Sequence, residues 1–167
     1  MGLEDLYREI ILDHYRSPRN RGELESPPAV RVEGYNPLCG DEIVVYLDVR
    51  DGTVADLKIG GQGCSISQSS ASMMSAAVKG RTVPEAHAVI RAFKGMMSIH
   101  EQRLDADDEA EAERVAAEAA EVKLGDLEAL QGVVRFPVRI KCATLSWNTL
   151  LQGLDEAAAE AAAAPAG

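Results

Sequence analysis

The stretch Glu42-Ile43-Val44-Val45-Tyr46-Leu47-Asp48-Val49-Arg50-Asp51-Gly52-Thr53-Val54-Ala55-Asp56-Leu57-Lys58-Ile59 decides the fold. Ile43, Val45, Leu47 and Val49 alternate with Glu42, Val44, Tyr46 and Asp48, the period of a strand with one face more buried than the other. Asp51-Gly52 is a strong hairpin turn, and Val54 to Ile59 supplies the return strand. Residues 29 to 36 read as a third strand. Connections this short predict an antiparallel meander.

Helical periodicity governs both sides of this meander. Leu3, Leu6, Tyr7, Ile10, Ile11 and His14 share one stripe, which predicts a helix over 3–16 that Ser17-Pro18 stops. His14 lies on the apolar face and reads as a packing residue rather than a ligand. Arg16, Arg19 and Arg21 follow as a basic patch, read equally as a solvated turn or a docking point. Residues 65 to 79 are rich in Ser and Ala, and their small side chains would let that helix lie close to the sheet. Thr82 and Glu85 form a capping box before Ala86, Val89, Ile90, Phe93 and Met97. Pro137 opens a last helix with Ile140, Ala143, Thr144, Trp147, Leu151 and Leu154 on one face. The class is α+β: a small three-stranded antiparallel sheet packed against several helices. Residues 1–156 are expected to form one domain, and 157–167 an alanine-rich, disordered tail.

The 167 residues carry a net charge of −10, unevenly spread. Residues 105–128 hold ten acids and two bases, so nearly all the excess lies there. Asp105 to Glu121 reads as an exposed helix or a mobile insert. No basic face suits phosphate, so nucleic acid is not an expected partner. Glu4, Asp5, Arg8 and Glu9 crowd the first ten residues, unlike a signal peptide, and no apolar run is long enough for a membrane span. An odd count of three cysteines argues against a disulfide framework. A soluble cytoplasmic protein is the expectation.

The cysteines occupy Cys39-Gly40-Asp41, Gly61-Gln62-Gly63-Cys64 and Lys141-Cys142-Ala143. Scattered cysteines can be small buried hydrophobes. Here each lies at the end of a predicted element, where ligands from distant segments can meet. Cys39, Asp41, Cys64 and Cys142 would make a four-donor shell for a tetrahedral ion such as zinc. Cys64 precedes a helix, whose positive end favours thiolate. Arg139 and Lys141 could offset the site's negative charge. Aspartate is a hard donor in a sulfur-rich shell, which suits a site whose ligands exchange better than a purely structural one. Neither His87 nor His100 lies in a segment resembling a cysteine–histidine catalytic pair.

Four ordered segments carry a further likeness: Asp13-His14-Tyr15-Arg16-Ser17-Pro18-Arg19-Asn20, Asn36-Pro37-Leu38-Cys39-Gly40-Asp41, Gly61-Gln62-Gly63-Cys64-Ser65-Ile66-Ser67 and Arg139-Ile140-Lys141-Cys142-Ala143-Thr144-Leu145-Ser146-Trp147. Together they resemble the IscU/SufU (NifU N-terminal-like) family of iron–sulfur cluster assembly proteins, over nearly the whole chain. Lys141 stands where IscU-type scaffolds carry histidine, and an insert at about 100–125 is similar to that of the SufU branch. The resemblance implies a SufE/IscU-like α+β fold and zinc held by Cys39, Asp41, Cys64 and Cys142. It implies that Cys39 accepts sulfur from a SufS-type cysteine desulfurase and hands it toward a SufB/SufC/SufD-type scaffold complex. The alternative within the family is a scaffold holding iron as a [2Fe–2S] cluster on the same four residues. A domain with a purely structural zinc is the reading from another class.

Overall fold

The structure is a computed structural model that describes residues 3–26, 29–37, 39–102 and 125–163. The elements run α1 (Leu3–Arg16), β1 (Val30–Asn36), β2 (Asp41–Arg50), β3 (Thr53–Gln62), α2 (Ser65–Val78), α3 (Val83–Gln102), a 3-10 segment (Gly125–Arg135) and α4 (Pro137–Ala163). The strands form one antiparallel sheet in the order β1-β2-β3. Asp51 and Gly52 take φ of 52° and 73°, the left-handed pair that a two-residue hairpin of the sheet's own twist requires. The alternation of β2 turns Ile43, Val45 and Leu47 into the core, while Tyr46 on the opposite face is buried as well. The β2–β3 register is irregular between Asp48 and Val49, and Val49 is half-buried.

The buried face of the sheet is covered by α4, which packs on both β1 and β2. Close approach is possible because Gly34 lacks a side chain: a Cβ there would collide with Thr149 Oγ1 and lie 2.9 Å from Ile43 Cγ2. The serine-rich helix α2 packs chiefly on α1 and α4, and of the sheet meets mainly β3. Its small residues therefore admit the neighbouring helices first and the β3 edge of the sheet second. Ser67, Ser69, Ser70, Ser72 and Ser75 are all buried. Most find partners, as burial demands. Ser70 Oγ donates to the Ala143 carbonyl at 2.6 Å and accepts the indole N–H of Trp147 at 3.0 Å. Ser72 Oγ accepts the Arg19 amide at 2.8 Å and bonds His14 Nδ1 at 2.8 Å. His14 Nε2 lies 3.1 Å from Asp126 Oδ2, so this buried histidine is a satisfied tie between α1, α2 and the 3-10 segment.

The basic patch is partly structural. Arg19 pairs with Asp13 at 2.6 Å, and Arg21 donates to the Gly61 carbonyl at 2.8 Å and to Gln68 Oε1 at 3.2 Å. Of the alanine-rich end, the residues up to Ala163 continue α4 without a break, as the helix preference of alanine favours, and 164–167 lie outside the described residues. The acidic stretch from Asp105 to Glu121 lies outside the described residues. Among those described, no helix is long and apolar enough to cross a membrane.

Of the expected capping box, the Thr82 half forms, and Glu85 returns to the Thr82 hydroxyl rather than to its backbone N–H. Thr82 Oγ1 accepts the Glu85 amide at 3.3 Å and bonds Glu85 Oε1 at 3.0 Å. Thr82→Ala should cost about 1 kcal/mol, read as a lower urea midpoint with an unchanged slope. An unshifted midpoint would show that packing alone starts α3.

Candidate metal centre

The site lies where three element ends meet. Asn36 closes β1 and pairs across the sheet with Asp41, the first residue of β2. Cys39 sits in the intervening turn, half-buried, with Gly40 behind it at φ 67°, a conformation that favours glycine. Gln62 ends β3, and two residues later Cys64 serves as the N-cap of α2. Cys142 lies in the second turn of α4 and is wholly buried.

Cys39, Asp41 and Cys142 each bring a ligand atom within 4.8 Å of the others. The sulfurs of Cys39 and Cys142 are 3.2 Å apart. Donors on a tetrahedral ion with metal–sulfur bonds of about 2.3 Å stand roughly 3.8 Å apart, so these three fit one shell with small side-chain adjustments. Cys64 is less close. Its sulfur is 3.9 Å from Asp41 Oδ2 but does not fall within 4.8 Å of all three. It accepts the Ser67 amide at 3.4 Å, drawn toward the positive end of α2. Its own backbone N–H donates to Asp41 Oδ1 at 2.9 Å, which fixes the buried carboxylate beside it.

The electrostatics single out Arg139. The negative charge of Cys64 and a hydrogen bond to it, with smaller attractions from Cys142 and Cys39, hold the guanidinium above its ordinary pKa. Lys141, the other cation read from the sequence, is exposed, and its ammonium makes no ion pair among the described residues. Burial pushes the Cys142 thiol well above its ordinary pKa, reinforced by its hydrogen bonds with Cys39 and Asp41 and by the charges of Cys64 and Asp41. A buried thiol of this kind becomes a thiolate only with a cation beside it. The sequence reading passed over Asn36, whose Nδ2 lies 3.7 Å from Cys142 Sγ. Its signal was its place at the end of a strand opposite a candidate ligand.

This architecture recurs elsewhere. The family model of the NifU-like N-terminal domain matches residues 6–122, which takes in Cys39, Asp41 and Cys64. The zinc-dependent sulfurtransferase SufU of Bacillus subtilis is 43% identical over 91% of both chains, a stretch long enough to include Cys142. The chain belongs to the IscU/SufU family. An IscU/SufU relative from Streptococcus pyogenes, named an iron–sulfur cluster assembly scaffold protein, is 35% identical over 93% of this chain and 87% of its own. A crystal structure from Fervidobacterium islandicum, of a candidate assembly scaffold for the SUF system, superposes with a TM-score of 0.70 and 30% identity. It covers 92% of this chain and 99% of that one. The IscU/SufU fold is therefore shared over almost the full length, and its relatives carry both functional names that the sequence left open.

Proposed function

We propose that this chain is a zinc-dependent sulfur acceptor in iron–sulfur cluster assembly, taking persulfide sulfur from a SufS-type cysteine desulfurase onto Cys39. The observation that carries it is the convergence of Cys39, Asp41 and Cys142, with Cys64 against Asp41, in a chain 43% identical to a zinc-dependent sulfurtransferase. Cys39, Asp41, Cys64 and Cys142 would hold the zinc. When bound, the ion supplies the positive charge that keeps clustered thiols ionised at neutral pH.

The residues divide the work by position. Cys142 is buried on a helix and Cys64 is held at a helix start, so both are anchored. Cys39 is half-exposed in a turn whose Gly40 has open space around it, which gives its sulfur room to move. The Cys39 thiolate attacks the terminal sulfur of the partner's persulfide. A sulfur–sulfur bond to Cys39 forms, the partner's sulfur–sulfur bond breaks, and the partner's cysteine leaves as thiolate with the electron pair. Electrons balance without an external oxidant. Arg139, beside Cys64, offers a cation to the negative charge of the clustered thiolates, a charge that the exchange leaves unchanged in total. Onward delivery would be to a SufB/SufC/SufD-type complex in the cytoplasm.

The test is desulfurase turnover with cysteine and a reductant, with peptide mapping of the persulfide. Zinc-loaded protein should accelerate turnover. Cys39→Ala should stay folded and return turnover to the background set by reductant alone. Persulfide found mainly on Cys64 or Cys142 would overturn the assignment. A stable iron–sulfur cluster passed to an apo-acceptor, with no stimulation by the zinc form, would establish the scaffold function named for the Streptococcus relative instead.

A further inference from the structure

The three sulfurs of the site differ in what donates to them. Cys64 Sγ accepts the Ser67 amide at 3.4 Å and lies against the Arg139 guanidinium. Cys142 Sγ accepts the side-chain N–H of Asn36 at 3.7 Å, a distance suited to a large sulfur acceptor. Among the described residues no N–H reaches Cys39 Sγ, whose hydrogen-bond neighbour is the thiol of Cys142.

The Asn36 contact follows from the sheet. Asn36 and Asp41 are directly opposed in the β1–β2 pair, and opposed residues project from the same face of a sheet. Both are buried, Asn36 6% exposed and Asp41 fully enclosed, and Cys142 comes to that face from α4. One cross-strand pair thus brings a carboxylate and an amide donor to the same sulfur-lined space. An N–H donated to an ionised or metal-bound sulfur stabilises its charge, withdraws electron density and fixes its orientation. A sulfur with less electron density is the weaker nucleophile and the less ready to exchange.

We propose that Asn36 is a positioning residue that keeps Cys142 the non-exchanging sulfur of the site, so that exchange falls to Cys39. This rests on the metal-dependent sulfur-acceptor reading above. If Asn36 only closed the end of β1, its loss would change stability and leave the electronic character of the bound sulfurs untouched. The two roles therefore separate spectroscopically.

The experiment uses the full chain with cobalt(II) as a probe for zinc, because its sulfur-to-metal charge-transfer band reports the electron density on the ligating sulfurs. Asn36→Leu removes the donor at nearly constant size. Asn36→Ser, whose hydroxyl is too short to reach the sulfur, carries the same measurements should the leucine variant not fold. The band should move to lower energy in the variant. Zinc affinity, measured against a chromophoric chelator, should fall by about 10- to 100-fold. A folded variant with wild-type band energy and wild-type zinc affinity overturns the proposal. Failure of the wild-type chain to bind either ion overturns the metal-site reading itself, a result independent of position 36.

Discussion

Trp147→Ala is expected to lower stability by about 3–5 kcal/mol, the range for emptying a large aromatic site in a packed core. Trp147 is fully buried and stacks on Phe93, with ring centroids 4.3 Å apart and planes 15° from parallel. Its indole N–H also donates to Ser70 Oγ, which in turn donates to the Ala143 carbonyl. One side chain therefore joins α2, α3 and α4. Truncation opens a cavity and removes a donor from a buried hydroxyl as well. For a chain of this size the melting temperature should fall by roughly 6–20 °C, at about 2–4 °C per kcal/mol. Trp147→Phe keeps an aromatic ring against Phe93 but loses the hydrogen bond and part of the ring volume, so it should cost less than the alanine variant, about 1–3 kcal/mol. Thermal unfolding of the metal-free variants checks both figures. A loss below 1 kcal/mol for the alanine variant would mean that α3 is not held through this contact.

The second large effect concerns the site itself. Gly63 has no side chain because Asp41 occupies the space where one would be. A Cβ on residue 63 would lie 2.5 Å from Asp41 Oδ1 and 3.1 Å from Asp41 Cβ and Cγ. Gly63→Ala must therefore displace the carboxylate and break the bond it accepts from the Cys64 amide. Overpacking of this kind costs about 1–3 kcal/mol. The larger consequence is functional under the proposed site, because the displaced group is a ligand and Cys64 moves with it. Zinc affinity should drop by at least 10- to 100-fold, more than expected of a residue that merely supports a ligand. Chelator competition on the folded variant measures it. Unchanged affinity would remove Asp41 from the ligand set, leaving the thiols to hold the ion.

Much of the local structure was legible because its causes are local. Asp51-Gly52 demanded a turn, Ser17-Pro18 stopped α1, Thr82 and Glu85 capped α3, and Pro137 opened α4. In each case a backbone preference within a few residues decided the outcome. The site's members were legible in kind, since cysteines and an aspartate at element ends suggest a metal. Which of them meet was not. Cys39 and Cys142 are separated by 103 residues, and only the packing of α4 across β1 and β2 brings their sulfurs to 3.2 Å. What packs most closely on α2 was not legible for the same reason. Serine and alanine announce close packing but carry no signal of what packs, and here α1 and α4 arrive.

Sequence alone determined the α+β class, the meander, the helix starts and the family, because periodicity, caps and ordered motifs are properties of neighbouring residues. Tertiary structure alone decided that Asn36 reaches Cys142, that Arg139 rather than Lys141 faces the thiols, and that His14 ties α1 to Ser72 and Asp126. Those pairings depend on how elements distant in sequence pack together. The identity of one residue does not encode its distance from another a hundred positions away.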